Sequence, residues 1–91
     1  MAKKKEAQEK HNWFDIWFED KQSILEIMRR NLQADLDAGY DPNGHSIRKQ
    51  VVEIEEYQMK FDQQMDIFRT MEEPKVQHWC YYDLKKRGVI E

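Results

Sequence analysis

The segment IRKQVVEIEEYQMKFDQQMDIF, residues 47–68, has the clearest helical pattern in this chain. Seven of its positions recur at alternating steps of four and three, the heptad spacing of a helix that packs along another helix. They are Ile47, Val51, Ile54, Gln58, Phe61, Met65 and Phe68. The polar Gln58 in the middle of this seam costs stability but penalises shifted registers of the two helices. The seam predicts a helix over about residues 46–72.

The segment before it, residues 12–38, has the same helical periodicity and a wider apolar face. Additional bulky residues widen its apolar arc to about half of the helix circumference, whereas a single packed stripe covers about 100°. The helix is therefore expected to contact two neighbours, one of which is its hairpin partner. The residues that form this face are Trp13, Phe14, Ile16, Trp17, Phe18, Ile24, Leu25, Ile27, Met28, Leu32 and Leu36.

The two helical segments are joined by DLDAGYDPNGHS, residues 35–46, whose composition is also found in calcium-binding loops. An EF-hand loop requires glycine at its sixth position and glutamate at its twelfth. No register that starts at one of the three aspartates supplies either residue. Turn chemistry explains the segment better, with a left-handed cap at Gly39, a turn over 41–44 and Ser46 as the N-cap of the next helix. The segment is thus predicted to be a corner between antiparallel helices.

A third, shorter helix is predicted over about residues 75–87. Pro74 cannot continue the second helix but suits the start of another, and Gly88 suits a left-handed cap after the basic last turn. The expected fold class is all-α: a long antiparallel helical hairpin plus a short C-terminal third helix against its open end. Residues 12–91 form a single helical domain in this interpretation, and residues 1–11 a flexible basic arm. The inward side chains of the third helix are expected to be Val76, Trp79, Cys80 and Leu84.

Length and composition set further bounds on the class of protein. The chain has 91 residues, of which 36% are charged, and its net charge is only −3. That small charge argues against attraction of the whole surface to nucleic acid. A single cysteine, Cys80, excludes a disulfide within the chain and favours a cytoplasmic location. No apolar run is long enough to span a bilayer, so no membrane partner is expected, and the lysine-rich start lacks the apolar core of a signal peptide.

No known catalytic or metal-binding motif appears in the sequence. A Walker loop, a nucleophile elbow, HExxH and CxxC are all missing. His78 and Cys80 are two residues apart, so they point in different directions on a helix, and Cys80 has no histidine one turn away. Adjacent acidic residues also diverge on a helix, whereas acid–base catalysis needs convergent carboxylates in a cleft. We therefore expect a non-enzymatic protein with no metal and no cofactor.

Two aromatic segments are candidates for a protein interface. They are WFDIWF, residues 13–18, and HWCYYDLKKRG, residues 78–88. Large aromatic rings dominate binding hot spots, although rings at helical spacing are also typical of a core. The leading hypothesis is a protein-interaction module, an adaptor, regulator or inhibitor, that presents a helical surface to a partner protein or to a second copy in a homodimer. The expected interface residues are Trp13, Trp17, Tyr81 and Tyr82.

The alternative hypothesis is a nucleic-acid-associated accessory protein. Aromatic rings beside cations can stack on bases while the cations bind phosphates, and such binding weakens steeply with salt. The simpler interpretation is that the C-terminal cations stabilise a helix end and that the N-terminal lysines are solvated. In general character the chain resembles a small accessory protein of a bacterium, phage or mobile element, although no motif supports this. The candidate nucleic-acid contacts are Lys3, Lys4, Lys5, Lys85, Lys86 and Arg87.

Overall fold

The computed structural model describes residues 12–90, which form three α-helices and no strand. Helix α1 is Trp13–Asp37, α2 is His45–Arg69 and α3 is Glu73–Lys86. The predicted all-α class, a long hairpin with a short third helix, is confirmed. Contacts gather these residues into two compact units, one of residues 20–70 and one of residues 12–19 with 71–90. The predicted basic arm, residues 1–11, lies outside the described residues.

The unit of residues 20–70 is the antiparallel hairpin. Near the corner, Gln50 Nε2 of α2 donates to Asp35 Oδ2 of α1 over 2.7 Å. Further from the corner, Arg29 Nη2 of α1 donates to Gln58 Oε1 of α2 over 2.9 Å. Earlier residues of α1 thus meet later residues of α2, as antiparallel packing requires. The apolar residues buried in this unit are Leu25, Ile47, Phe61 and Phe68.

Gln58 is half-buried in the middle of the seam and forms a hydrogen bond to the opposite helix. Its Oε1 accepts from Arg29 on the opposite helix, and its Nε2 donates to Asp62 Oδ1 over 3.0 Å on its own helix. A slip of one helical turn would separate Gln58 from Arg29 and leave both without this bond. Val51 is the one seam residue that departs from the prediction, because its side chain is exposed.

The corner between α1 and α2 confirms the predicted role of Gly39. This glycine has a φ of 97°, in the left-handed region. Its N–H donates to the Leu36 carbonyl over 3.1 Å, and the Tyr40 N–H donates to the Asp35 carbonyl over 3.1 Å. These two bonds form a Schellman motif, which satisfies carbonyl groups at the end of α1. The corner is therefore closed by backbone hydrogen bonds.

The start of α2 differs from the prediction. Gly44 occupies the N-cap position with φ −73° and ψ 160°, and no side chain caps the helix. Its N–H donates to the Asp41 carbonyl over 2.9 Å, and its carbonyl accepts from Arg48 over 3.0 Å. The preceding turn thus brings Gly44 into the capping position, two residues before the predicted Ser46, which lies inside the first helical turn.

The junction between α2 and α3 is also displaced from its predicted position. Helix α2 ends at Arg69, because the N–H and the hydroxyl of Thr70 both donate to the Ile67 carbonyl, over 3.0 and 2.8 Å. Helix α3 begins at Glu73, two residues earlier than predicted. Pro74 lies in its first turn, where a missing N–H costs nothing.

Candidate interaction surface

Helix α3 has one buried face and one aromatic face. Val76, Cys80 and Leu84 follow each other at steps of four and are buried, as predicted. Trp79 was also predicted to point inward, but 38% of its surface is exposed. Tyr82 is 62% exposed on the same side of the helix. The prediction for Trp79 was therefore wrong, since this residue lies at the border of the buried face and its ring extends into the aromatic one.

An open groove of about 600 Å³ runs along this aromatic face. Its lining is mainly apolar, with one lysine near each end and one carboxylate. Concave apolar surfaces with a few polar groups are the usual form of a binding site. We call it the aromatic groove, and its lining residues are Met71, Pro74, Lys75, His78, Trp79, Tyr82, Asp83 and Lys86.

Trp17 supports the groove from the start of α1. Its side chain is 2% exposed, and its Nε1 donates to Asp83 Oδ2 over 3.0 Å. Its ring meets the ring of Trp79 edge to face, with 6.1 Å between the centroids. Tilted and edge-to-face pairs of this kind are favourable for aromatic quadrupoles. Trp17 therefore holds the side chains of Asp83 and Trp79 in place from the buried side of the groove.

The other predicted interface residues of α1 and α3 pair with each other. The rings of Trp13 and Tyr81 lie 5.0 Å apart and are tilted by 60°, and both side chains are half-buried. Lys85 Nζ lies 3.2 Å from Tyr81 Oη and 5.5 Å from the centre of its ring. Tyr81 thus joins α3 to α1 and engages Lys85, while Tyr82 points into the groove.

The side-chain amide of Gln77 joins the start of α1 to α3, and its oxygen and its nitrogen each form two hydrogen bonds. Its Oε1 accepts from the backbone N–H groups of Trp13 and Phe14, over 2.6 and 3.2 Å. Its Nε2 donates to Asn12 Oδ1 over 3.0 Å and to Glu73 Oε2 over 2.8 Å. The first N–H groups of a helix have no acceptor within the helix, so Gln77 acts as a cap contributed by another helix. No sequence pattern indicated this role.

Replacing Gln77 by alanine should lower the free energy of unfolding by about 1–2 kcal/mol, because two partly buried N–H groups lose their acceptor. Urea denaturation followed by far-ultraviolet circular dichroism measures this change. Gln63→Ala is the matched control, since Gln63 is an exposed glutamine of α2, and we expect a change below about 0.5 kcal/mol there. Equal effects of the two substitutions would contradict the capping role.

The structure assigns different places to the residues proposed from sequence. Tyr82 and Lys86 line the aromatic groove, whereas the buried Trp17 offers no surface to a partner and its proposed interface role is corrected to a supporting one. Arg87 occupies the C-cap of α3, followed by Gly88 at φ 79°. Trp79 and Lys75 were not among the proposed contacts. The remaining candidates, Lys3, Lys4 and Lys5, lie outside the described residues.

The described part of the chain contains no group of three or more His, Cys, Asp or Glu side chains positioned to hold a metal ion. None of the helices within residues 12–90 is both long enough and apolar enough to cross a bilayer. No protein family, curated protein or solved structure matches the chain.

Proposed function

We propose that this chain is a non-enzymatic protein-interaction module, an adaptor, regulator or inhibitor, whose contact surface is the aromatic groove of α3. The observation that carries the proposal is the exposure of Trp79 and Tyr82 along one open groove. Full burial of an exposed apolar side chain contributes about 1.5–3 kcal/mol, and the exposed parts of these two rings leave a fraction of that free energy unused. A partner that covers the groove would recover part of this free energy, and exposed aromatic clusters of this kind are typical of binding hot spots.

The contacts behind the groove favour this use. Gln77 and the Trp17–Asp83 hydrogen bond hold α3 against the start of α1. A surface that is already held in place loses little conformational entropy when a partner binds. In this proposal Trp13, Trp17 and Tyr81 form the support, while Trp79 and Tyr82 make the contact. The module would act in the cytoplasm, as the single cysteine suggests.

Nucleic-acid binding is the second candidate, and one observation favours it. Tyr82 and Lys86 are both exposed and line the same groove, so a base could stack on the ring while the ammonium group meets a phosphate. The groove also contains Asp83, however, whose carboxylate would repel a phosphate backbone. Titration of the chain with single-stranded and duplex DNA and RNA tests this candidate, because genuine binding would weaken steeply as salt is added.

The leading proposal predicts a partner that depends on Tyr82. The chain, Tyr82→Ala and Tyr40→Ala serve as parallel baits for extracts of the source cells, with bound proteins quantified by mass spectrometry. Tyr40 is a suitable control because it is 51% exposed in the corner, outside the groove. We expect Tyr82→Ala to weaken capture by a factor on the order of ten and Tyr40→Ala to leave it unchanged. The proposal fails if no protein, including an isotope-labelled copy of the chain itself, distinguishes the two variants.

A further inference from the structure

We propose that the aromatic groove is covered by α3 of a second copy of this chain, which runs antiparallel about a two-fold axis. The inference rests on the proposed function, because it names the occupant of that same groove. Charge is unevenly distributed along α3. Exposed carboxylates of Glu72 and Glu73 stand at its start, and exposed ammonium groups of Lys85 and Lys86 stand at its end. Between them lie the exposed rings of the groove.

This charge distribution determines the direction of pairing. Two parallel copies of α3 would place lysines beside lysines and glutamates beside glutamates, and like charges at that range repel. Two antiparallel copies place the acidic end of each helix beside the basic end of the other. Their helix dipoles then point in opposite directions, which is also favourable. At the ends, Glu72 of one copy then lies level with Lys85 and next to Lys86 of the other. The helix is thus complementary to itself in one orientation.

The centre of the groove is self-complementary in the same orientation. Met71 and Lys86 are equally distant along the chain from the point between His78 and Trp79. A two-fold axis through that point places Lys75 of each copy opposite Tyr82 of the other, and His78 opposite Trp79. A cation over a ring and a pair of rings are both favourable contacts. An isologous interface requires such mutual matching, and two-fold dimers are the commonest oligomers.

The groove suits a second copy better than a polyanion. A nucleic acid or an acidic peptide would gain from Lys75 and Lys86 but would meet Glu72 at one end and Asp83 in the lining. The size of α3 also determines the strength of the complex. Its 14 residues extend over about 21 Å, and one such pair of helices buries less than the roughly 1,200–2,000 Å² of stable complexes. We therefore expect a weak dimer, with a dissociation constant on the order of 100 μM.

Sedimentation equilibrium of the full chain, from low micromolar to near-millimolar concentration, tests the inference with two charge-swap variants, Glu72→Lys and Lys86→Glu. Neither side chain makes a capping hydrogen bond, and the favourable interaction of each exposed charge with the dipole of α3 contributes only about 0.3–1 kcal/mol. Each variant alone should dimerise about tenfold more weakly, because two opposite-charge pairs become like-charge pairs. An equimolar mixture of the two variants should restore the dimer, since the lysine introduced by one substitution then faces the glutamate introduced by the other.

Three results would overturn the inference. They are a chain that stays monomeric at every concentration, a mixture that fails to restore association, and a dimer whose dissociation constant is unchanged in Tyr82→Ala. A monomeric chain that still captures another protein through Tyr82 would overturn the dimer and leave the proposed function standing. Circular dichroism of each variant, matched to that of the original chain, establishes that a loss of association is not a loss of folding.

Discussion

Replacing Trp17 by alanine should lower the free energy of unfolding by about 3–5 kcal/mol. The side chain is 2% exposed, and its ring lies 6.2 Å from the ring of Phe14 and 6.1 Å from that of Trp79. Truncation leaves a cavity among these rings and removes the Nε1–H group that donates a hydrogen bond to Asp83. A small domain has only about 5–15 kcal/mol in total. The thermal midpoint should therefore fall by about 15–30 °C, which differential scanning calorimetry measures.

Two conservative variants separate the packing of Trp17 from its hydrogen bond. Trp17→Phe keeps a ring but loses the Nε1 donor, whereas Asp83→Asn keeps an acceptor oxygen for that donor. We expect both to be milder than Trp17→Ala, at about 1–2 kcal/mol for the former and less for the latter. If Trp17→Ala instead weakened a complex while leaving the unfolding curve unchanged, the supporting role would be wrong and the interface role predicted from sequence would be restored.

Leu25→Ala should have the second largest effect, lowering the free energy of unfolding by about 2–5 kcal/mol. Leu25 is 1% exposed in the hairpin unit. Alanine there removes most of the side chain from a closely packed interior, and the cost grows with the volume of the cavity that remains. Chemical denaturation monitored by circular dichroism provides the measurement, with the slope of the transition checked for a change in two-state behaviour.

The neighbouring Ile27 supplies a matched control for Leu25. It is an aliphatic residue of the same helix, two positions away, and it is 51% exposed. Ile27→Ala removes as many side-chain carbon atoms as Leu25→Ala. The difference between their changes in the free energy of unfolding therefore reports the effect of burial. We expect Ile27→Ala to cost less than about 1 kcal/mol. A comparable loss at both positions would mean that the exposed face of α1 is also covered in solution.

Sequence patterns predicted the hairpin well, because its determinants are local and repeated. The heptad seam of 47–68 identifies both the helix and its buried face, and three of its residues are buried as expected. Gly39 and Gly88 were predicted to end their helices in a left-handed conformation, and both adopt it. Such signals depend on spacing and on backbone geometry alone, and both can be read from a sequence.

The details of the candidate surface could not be predicted in the same way. Helical periodicity places Trp79 near the buried face, but only the packing of α3 determines how much of its ring stays exposed. The capping role of Gln77 depends on residues 64 positions away, and an isolated glutamine carries no signal of it. Ser46 failed as an N-cap because the preceding turn brought Gly44 into that position. Tertiary contacts decided the outcomes for Trp79 and Gln77, whereas a local turn decided the outcome for Ser46.

The bond between Gln77 and the Trp13 N–H also bears on how the chain matures during synthesis. Its two residues are separated by 64 positions, so the acceptor is synthesised well after the donor. Until then the opening turn of α1 has no acceptor for this N–H group, although the hairpin between the two sites can already assemble. The first turn of α1 therefore gains this hydrogen bond only after Gln77 has been synthesised and α3 has packed against it.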